Sequence, residues 1–247
     1  MTPASVHVGC AGWSLARDVQ PAFGEGASLL QRYATRLHAA EINSSFYRPH
    51  QRATYARWAA STPPGFRFAA KLPKAITHVQ RLVECDSLLD AFLEQAGGLE
   101  ERLGCLLVQL PPSLAFNAAT VATFLQVLRR RHVGAVAMEP RHVSWFTAEA
   151  DALLHAHRVA RVLADPVLHD AGRWPGGWPG LVYLRLHGTP RVYWSSYDET
   201  LIAALARRIQ LAAAQGIQVW CIFDNTASGA ATHNALALQR ALTKDAT

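Results

Sequence analysis

The sequence predicts an α/β protein, a single (β/α)8 TIM-type barrel over residues 1–247 with its sixth helix short or missing. Three observations lead there. The length of 247 residues matches the roughly 250 of a complete barrel of this kind. Short apolar runs recur with helical stretches between them, as repeated βα units require. No GxGxxG or GxxxxGK[ST] sequence supports the open doubly wound alternative.

The strand-like runs are 6–10, 39–44, 66–72, 105–110, 135–139, 160–165, 181–187 and 218–224. Ser28 is expected to cap a helix around Leu29, Leu30 and Tyr33, and Ser87 one carrying Leu88, Leu89, Phe92 and Leu93. Arg129, Arg130 and Arg131 read as the solvated end of a helix, where cations suit the dipole. After the sixth run, residues 170–180 are rich in Gly, Pro and Trp and read as loop. Asp198 opens a helix that Gly216 stops, and Ser228 opens the last one.

Half the residues are hydrophobic and 17% are charged, enough to build a sizeable core and unlike a disordered chain. No apolar run approaches the roughly 20 residues that span a bilayer, and residues 1–5 carry no basic stretch of a leader, so no membrane partner is expected. Cys10, Cys85, Cys105 and Cys221 form no CxxC pair; a reduced, cytoplasmic setting is the simplest. The net charge of +6 suits anionic partners, but it is spread along the chain and reads first as ordinary solvated surface charge. The basic residues are nearly all Arg, yet two of the three lysines, Lys71 and Lys74, lie within four residues, with Lys244 apart. A compact ammonium differs from a guanidinium in hydration and pKa, which singles that pair out.

Side chains alternate across a strand, so parity separates barrel-facing from helix-facing residues. In the seventh run Val182, Leu184 and Leu186 suit the helices, which turns Tyr183, Arg185 and His187 inward. By the same rule Glu41 and Asn43 share a face, Gln109 follows Leu107, and Glu139 follows Ala135 and Ala137; Lys71, Asp165 and Asp224 lie at strand ends. Barrel interiors are normally bulky and apolar, so this charged upper layer must pair with itself or with a ligand. Trp13, Phe46, Tyr47, Trp145, Tyr193, Trp194 and Tyr197 in the following loops offer a stacking surface beside the cations.

Several stretches together resemble the YecE-like proteins of domain of unknown function 72, across nearly the whole chain. They are Gly9-Cys10-Ala11-Gly12-Trp13-Ser14, Glu41-Ile42-Asn43-Ser44-Ser45-Phe46-Tyr47, Lys71-Leu72-Pro73-Lys74 with Ile76-Thr77-His78, Gln109-Leu110-Pro111-Pro112, Glu139-Pro140-Arg141-His142 with Ser144-Trp145, Arg185-Leu186-His187-Gly188, and Phe223-Asp224-Asn225. The resemblance implies a (β/α)-barrel fold and no established activity. Leu15 and Asp224 depart from its pattern, which has an aromatic and an Asn there.

Three functional readings stand at this point. In the first, the barrel binds an anionic sugar, nucleotide or nucleic-acid phosphate at the C-terminal ends of its strands. Glu41, Glu139 and His187 supply acid or base; Trp13, Asn43, Tyr47, Lys71, Lys74, Gln109, Arg141, Arg185, Asp224 and Asn225 bind the substrate, and no residue is assigned to a metal. In the second, by analogy with endonuclease-IV-like and xylose-isomerase-like barrels, Glu41, Glu139, Asp165, His187 and Asp224 hold a metal for hydrolysis or isomerisation. Lys71 and Arg185 would compete for those carboxylates, and no HxH or HExxH spacing supports it. The third is a non-catalytic nucleic-acid-binding protein, favoured by charge but by no basic tract. Cys10 is a candidate nucleophile without a nameable base, and His50, His78 and His142 are loop histidines first and ligands second.

Overall fold

The computed structural model describes residues 6–244; the leader reading of residues 1–5 lies outside them. Each apolar run forms a strand: β1 (Val6–Ala11), β2 (Ala39–Ile42), β3 (Arg67–Lys71), β4 (Leu103–Gln109) and β5 (Val136–Glu139). The sixth run is divided into β6 (Val159–Arg161) and β7 (Leu163–Asp165), a short β8 (Gly176–Gly177) follows, and β9 (Leu181–Leu186) and β10 (Gln218–Phe223) complete the set. The strands form one nearly closed, barrel-like sheet of ten in the order β7-β9-β10-β1-β2-β3-β4-β5-β6-β8.

The count of ten corrects the expectation of eight, and the sixth run is the reason. A regular barrel strand pairs with both neighbours along one length. Here β6 pairs with β5 through Val159 and Ala160, and the chain then crosses to β9, where Leu163 faces Leu184 and Asp165 faces Leu186. At the crossing, Val162 N–H still donates to the Met138 carbonyl (2.8 Å). The added β8 runs antiparallel to β6; Gly177, at φ +68°, lies where a Cβ would meet the Val159 carbonyl at 2.4 Å, so only glycine fits.

Helices α1 (Leu29–Ala34), α2 (Arg52–Ala60), α3 (Asp86–Ala96), α4 (Ala118–Arg131), α5 (Ala148–Ala156), α6 (Glu199–Ala214) and α7 (Ala230–Lys244) alternate with the strands. Between β7 and β9 the described residues hold only a one-turn 3-10 helix, Asp170–Gly172, and β8. Ser28 caps α1 by accepting from Gln31 N–H (3.2 Å), and Asp198 caps α6 by accepting from Leu201 N–H (2.8 Å). Two expected caps are corrected. Ser87 lies inside α3, whose first turn instead carries the acidic Asp86, and the Ser228 hydroxyl donates to the Trp194 carbonyl (2.6 Å), tying two loops together. Nor is the arginine run merely solvated: Arg129 donates to the carbonyls of His157, Gly134 and Arg158, and Arg131 reaches Asp86 and Asp90 on α3.

Parity divides the core as expected. Val8, Ile42, Phe68, Val108, Met138, Leu184 and Leu186 pack outward with the helices. The lower barrel interior is filled by two large rings, Tyr183 and Trp220, stacked with centroids 5.9 Å apart, against Ala39, Ala69, Cys105, Ala137 and Ala160. Small residues on five strands make room for large ones on two, which keeps packing dense. Gly9 belongs to this economy, since a Cβ there would lie 1.9 Å from the Ala39 carbonyl.

Candidate functional site

Above the aromatic pair the interior becomes charged. Arg185, on β9 and 0% exposed, extends its guanidinium across the barrel and bonds three carboxylates. Its Nε and Nη2 donate to Glu41 at the end of β2 (3.0 and 2.6 Å), Nη1 to Glu139 at the end of β5 (2.8 Å), and Nη2 also to Asp224 just past β10 (3.0 Å). A planar fork of five N–H donors suits this better than any other side chain. Tyr183 adds a hydroxyl donated to Glu41 (2.9 Å), so both Glu41 oxygens are engaged inside a closed compartment.

Glu139 is the most shared group. It accepts from Gln109 on β4 (3.3 Å), from Arg141 two residues on (3.1 Å), and from Arg185, while His187 Nε2 lies 3.3 Å away. Burial would raise its carboxyl, but Arg185, His187 and Arg141 together hold it well below the usual range. Asp224 is likewise lowered, with Arg185, His187 and Lys71 overcoming burial. His187 bridges the two, with Nδ1 3.0 Å from Asp224. Burial disfavours its charge, yet the hydrogen bonds to Asp224 and Glu139 raise its pKa above the ordinary 6.5.

Lys71, at the end of β3, behaves differently. The residue is only 4% exposed, with Nζ over the Phe46 ring, 4.2 Å from the centroid. Burial and then Arg185 bring its pKa down to about 8, against the pull of Glu41, Glu139 and Asp224. The segment beyond it carries the exposed Lys74, the half-buried His78, and Arg81, whose left-handed backbone (φ 51°) aims its guanidinium at the Ser113 carbonyl (2.7 Å). Burial lowers the pKa of His78, and the nearby charges of Lys71, Arg141, Lys74 and Arg81 lower it further. Arg81 thus joins a cationic rim around His78, which is left neutral; strand parity reveals neither, because His78 lies on a single π-helical turn (Ala75–Val79) and Arg81 in the turn that follows.

The remaining expected residues are dispersed. Tyr47 is 77% exposed, and Trp13 packs edge-on against Trp58 and Phe68. Asn43 is half-buried, and its Oδ1 has no partner among the described residues. Asn225 is tied to the Ser195 carbonyl (2.8 Å) and Asn234 (2.9 Å), a loop brace apart from the charged cluster. Asp165 accepts from Thr189 and Tyr197 (2.7 Å each) and does not reach Arg185; its parity opposes that of inward-facing Ala160 and Val162.

The expected ring of seven aromatics is corrected too. Trp145 is fully buried and donates to the Leu114 carbonyl, Phe46 lies under Lys71, and Tyr197 spans from Asp165 to the Gly188 N–H. Tyr47, Tyr193 and Trp194 remain open to solvent, with Arg191 stacked 4.3 Å over Trp194. Cys10 is buried and its thiol is pushed up to about 12, mainly by desolvation, which removes it as a nucleophile near neutral pH. His50 and His142 are bonded to Ser44 and Ser144. Among the described residues, no three His, Cys, Asp or Glu side chains are grouped as metal ligands, and the carboxylates are already bonded to Arg185.

Comparison with known proteins places this geometry in company. The model of the family described as protein of unknown function DUF72 matches residues 7–247. The UPF0759 protein YecE of Escherichia coli (strain K12) is 31% identical over 106 residues, 43% of this chain and 38% of that protein. The UPF0759 protein YunF of Bacillus subtilis (strain 168) is 26% identical over 148 residues, 58% of this chain and 52% of that protein. The matched part thus spans at most about half the length of these relatives. Crystal structures of DUF72 family proteins superpose along nearly the full length. One from Enterococcus faecalis V583 has a TM-score of 0.79 at 24% identity, covering 97% of this chain and 96% of that one. One from Thermotoga maritima MSB8 has a TM-score of 0.77 at 26% identity, covering 96% and 99%.

Proposed function

The chain belongs to the DUF72 family, and on that premise we propose that it is a single-domain (β/α)8-type barrel with a broken sixth strand, whose mouth binds a small phosphate-bearing anion. A sugar phosphate, a nucleotide or a nucleic-acid phosphate fits this description. One observation carries the reading. The carboxylates Glu41, Glu139 and Asp224 all bond to Arg185, which leaves Lys71, Lys74, Arg81 and Arg141 gathered about His78 with only the shared Glu139 among them. Five cations face three carboxylates, and an anionic ligand restores the balance.

In this reading Lys74 and Arg141 meet the anion, Lys71 and Gln109 lie beneath it, and Glu139 with His187 is the acid–base pair. Glu41 and Asp224 act through Arg185, whose donors are already engaged, so Arg185 supports the site and does not grip the ligand. Trp13, Asn43 and Tyr47 border the mouth, and Asn225 braces the loop beside it. With four buried, unpaired cysteines, a cytoplasmic setting completes the reading; no helix of the described residues is long and apolar enough to cross a membrane.

Thermal unfolding in phosphate and in chloride of equal ionic strength tests it. Phosphate should raise the midpoint of the wild type, and Lys74→Ala with Arg141→Ala should erase the rise. An equal rise in the double variant overturns the proposal. The exposed Tyr47, Tyr193 and Trp194, with Arg191 on the last, favour a second reading as a nucleic-acid-binding surface. Single-stranded oligonucleotide binding that weakens with salt and with Trp194→Ala would support it; unchanged affinity in that variant would sink it.

A further inference from the structure

Lys71 is closed inside the barrel mouth while Lys74 is exposed, and among the described residues the Lys71 amine has neither a hydrogen-bond partner nor a carboxylate at ion-pair distance. The amine lies over the Phe46 face. The charged groups around it are Arg185 from β9, Glu41 from β2, Glu139 from β5 and Asp224 beyond β10, with the titratable His78 on the helical turn Ala75–Val79. All three carboxylates are spent on Arg185, so the groups that would hold Lys71 protonated are diverted to another cation. A desolvated lysine beside a second cation is a recognised way to obtain a nucleophilic amine.

We propose that Lys71 forms an imine with the carbonyl carbon of a small phosphorylated aldehyde or ketone whose phosphate rests on Lys74 and Arg141. This deepens the anion reading above and rests on it for the phosphate. The neutral amine attacks the carbonyl carbon; the N–C bond forms as the C=O π pair moves to oxygen, which gains a proton while nitrogen loses one. The resulting carbinolamine hydroxyl takes a further proton from solvent and leaves as water, as the nitrogen lone pair closes the C=N bond. The product is an iminium, formed without oxidant or reductant, and it withdraws electrons from the neighbouring carbon, the function such adducts serve in carbon–carbon and proton-transfer chemistry.

The test incubates the whole protein with glyceraldehyde 3-phosphate or with glyceraldehyde, reduces any imine with sodium cyanoborohydride, and maps the adduct by peptide mass spectrometry, with three lysines to tell apart. The phosphorylated aldehyde should label Lys71 at least about tenfold over Lys74 and Lys244. Labelling should rise with pH through a midpoint near 8 and vanish in Lys71→Arg. Label spread evenly over the lysines, or confined to Lys74, overturns the proposal even where phosphate still stabilises the fold. Equal labelling of Lys71 by both aldehydes keeps the amine and overturns the anion reading. Mapping on the wild type decides between these outcomes whether or not the variant folds.

Discussion

Arg185 and Lys71 stand in the same barrel mouth as buried cations, but the first bonds three carboxylates while the second faces a phenyl ring. The difference lies in geometry. A guanidinium offers five donors in a fixed plane and remains charged, so it can organise acids arriving from three strands. An ammonium on a flexible stem loses that competition, and its charge becomes adjustable. On the proposal above, the pairing around Arg185 serves the fold and the isolation of Lys71 serves its chemistry. Substitutions in the two places should fail in opposite ways.

The largest effect is expected from Arg185→Ala. Removing it strands three carboxylates in a closed compartment, and breaking a buried pair costs about 3–5 kcal/mol, a large part of a typical folding free energy. Urea denaturation should show a midpoint far below wild type or no cooperative transition. A change below about 1 kcal/mol would mean that the cluster is hydrated and that the contrast with Lys71 is false.

His187 comes next, and it makes the comparison depend on pH. Its pKa is higher in the folded protein than the ordinary 6.5, so its contribution is fully present below that value and fades as pH rises through the folded pKa. Glu139 and Asp224 shift downward, so their contributions are present above the ordinary carboxylate range and fade on acidification. Stability should therefore peak at mildly acidic pH. His187→Gln should cost about 1.5–3 kcal/mol there, as loss of hydrogen bonds to charged groups does, and progressively less in alkali. Denaturation curves taken at several pH values check this; a cost independent of pH removes the imidazolium from the network.

Lys71→Met should change stability by no more than about 1 kcal/mol and in the favourable direction, because a buried charge without its own partner gives way to an apolar side chain against Phe46. Calorimetry at pH 7 measures it. A loss of several kcal/mol would place Lys71 in the same structural class as Arg185. The smallest effect belongs to Tyr47→Ala, within about 0.5 kcal/mol for so exposed a side chain. Should it prove destabilising, the loop after β2 packs more tightly than its exposure implies.

Much of this architecture is legible in the chain. The period-two pattern of Val182, Leu184 and Leu186 is enough to turn Tyr183, Arg185 and His187 inward, and Ala137 occupies the inner layer that its parity with Glu139 assigns. The sixth run is the hardest to read: the position of Asp165 at a strand end suggests a site residue, whereas the structure pairs it with outward-facing Leu186 and turns Ala160 and Val162 inward. The loop aromatics mislead for another reason. A ring is equally at home stacked on a ligand or buried as Trp145 is, and sequence carries no signal that distinguishes them.

By itself, then, the sequence determined the alternation of strands and helices, the inward parity of the charged residues and the missing sixth helix, because these follow from local periodicity and turn chemistry. Tertiary structure alone decided the ten-strand sheet and which acid each cation takes. Strand pairing across β6 to β9 is a non-local contact, and partner choice among Glu41, Glu139 and Asp224 depends on the reach of a guanidinium held in one plane. Once Arg185 takes all three, Lys71 is left to the phenyl ring, a result of competition in space that no spacing of residues records.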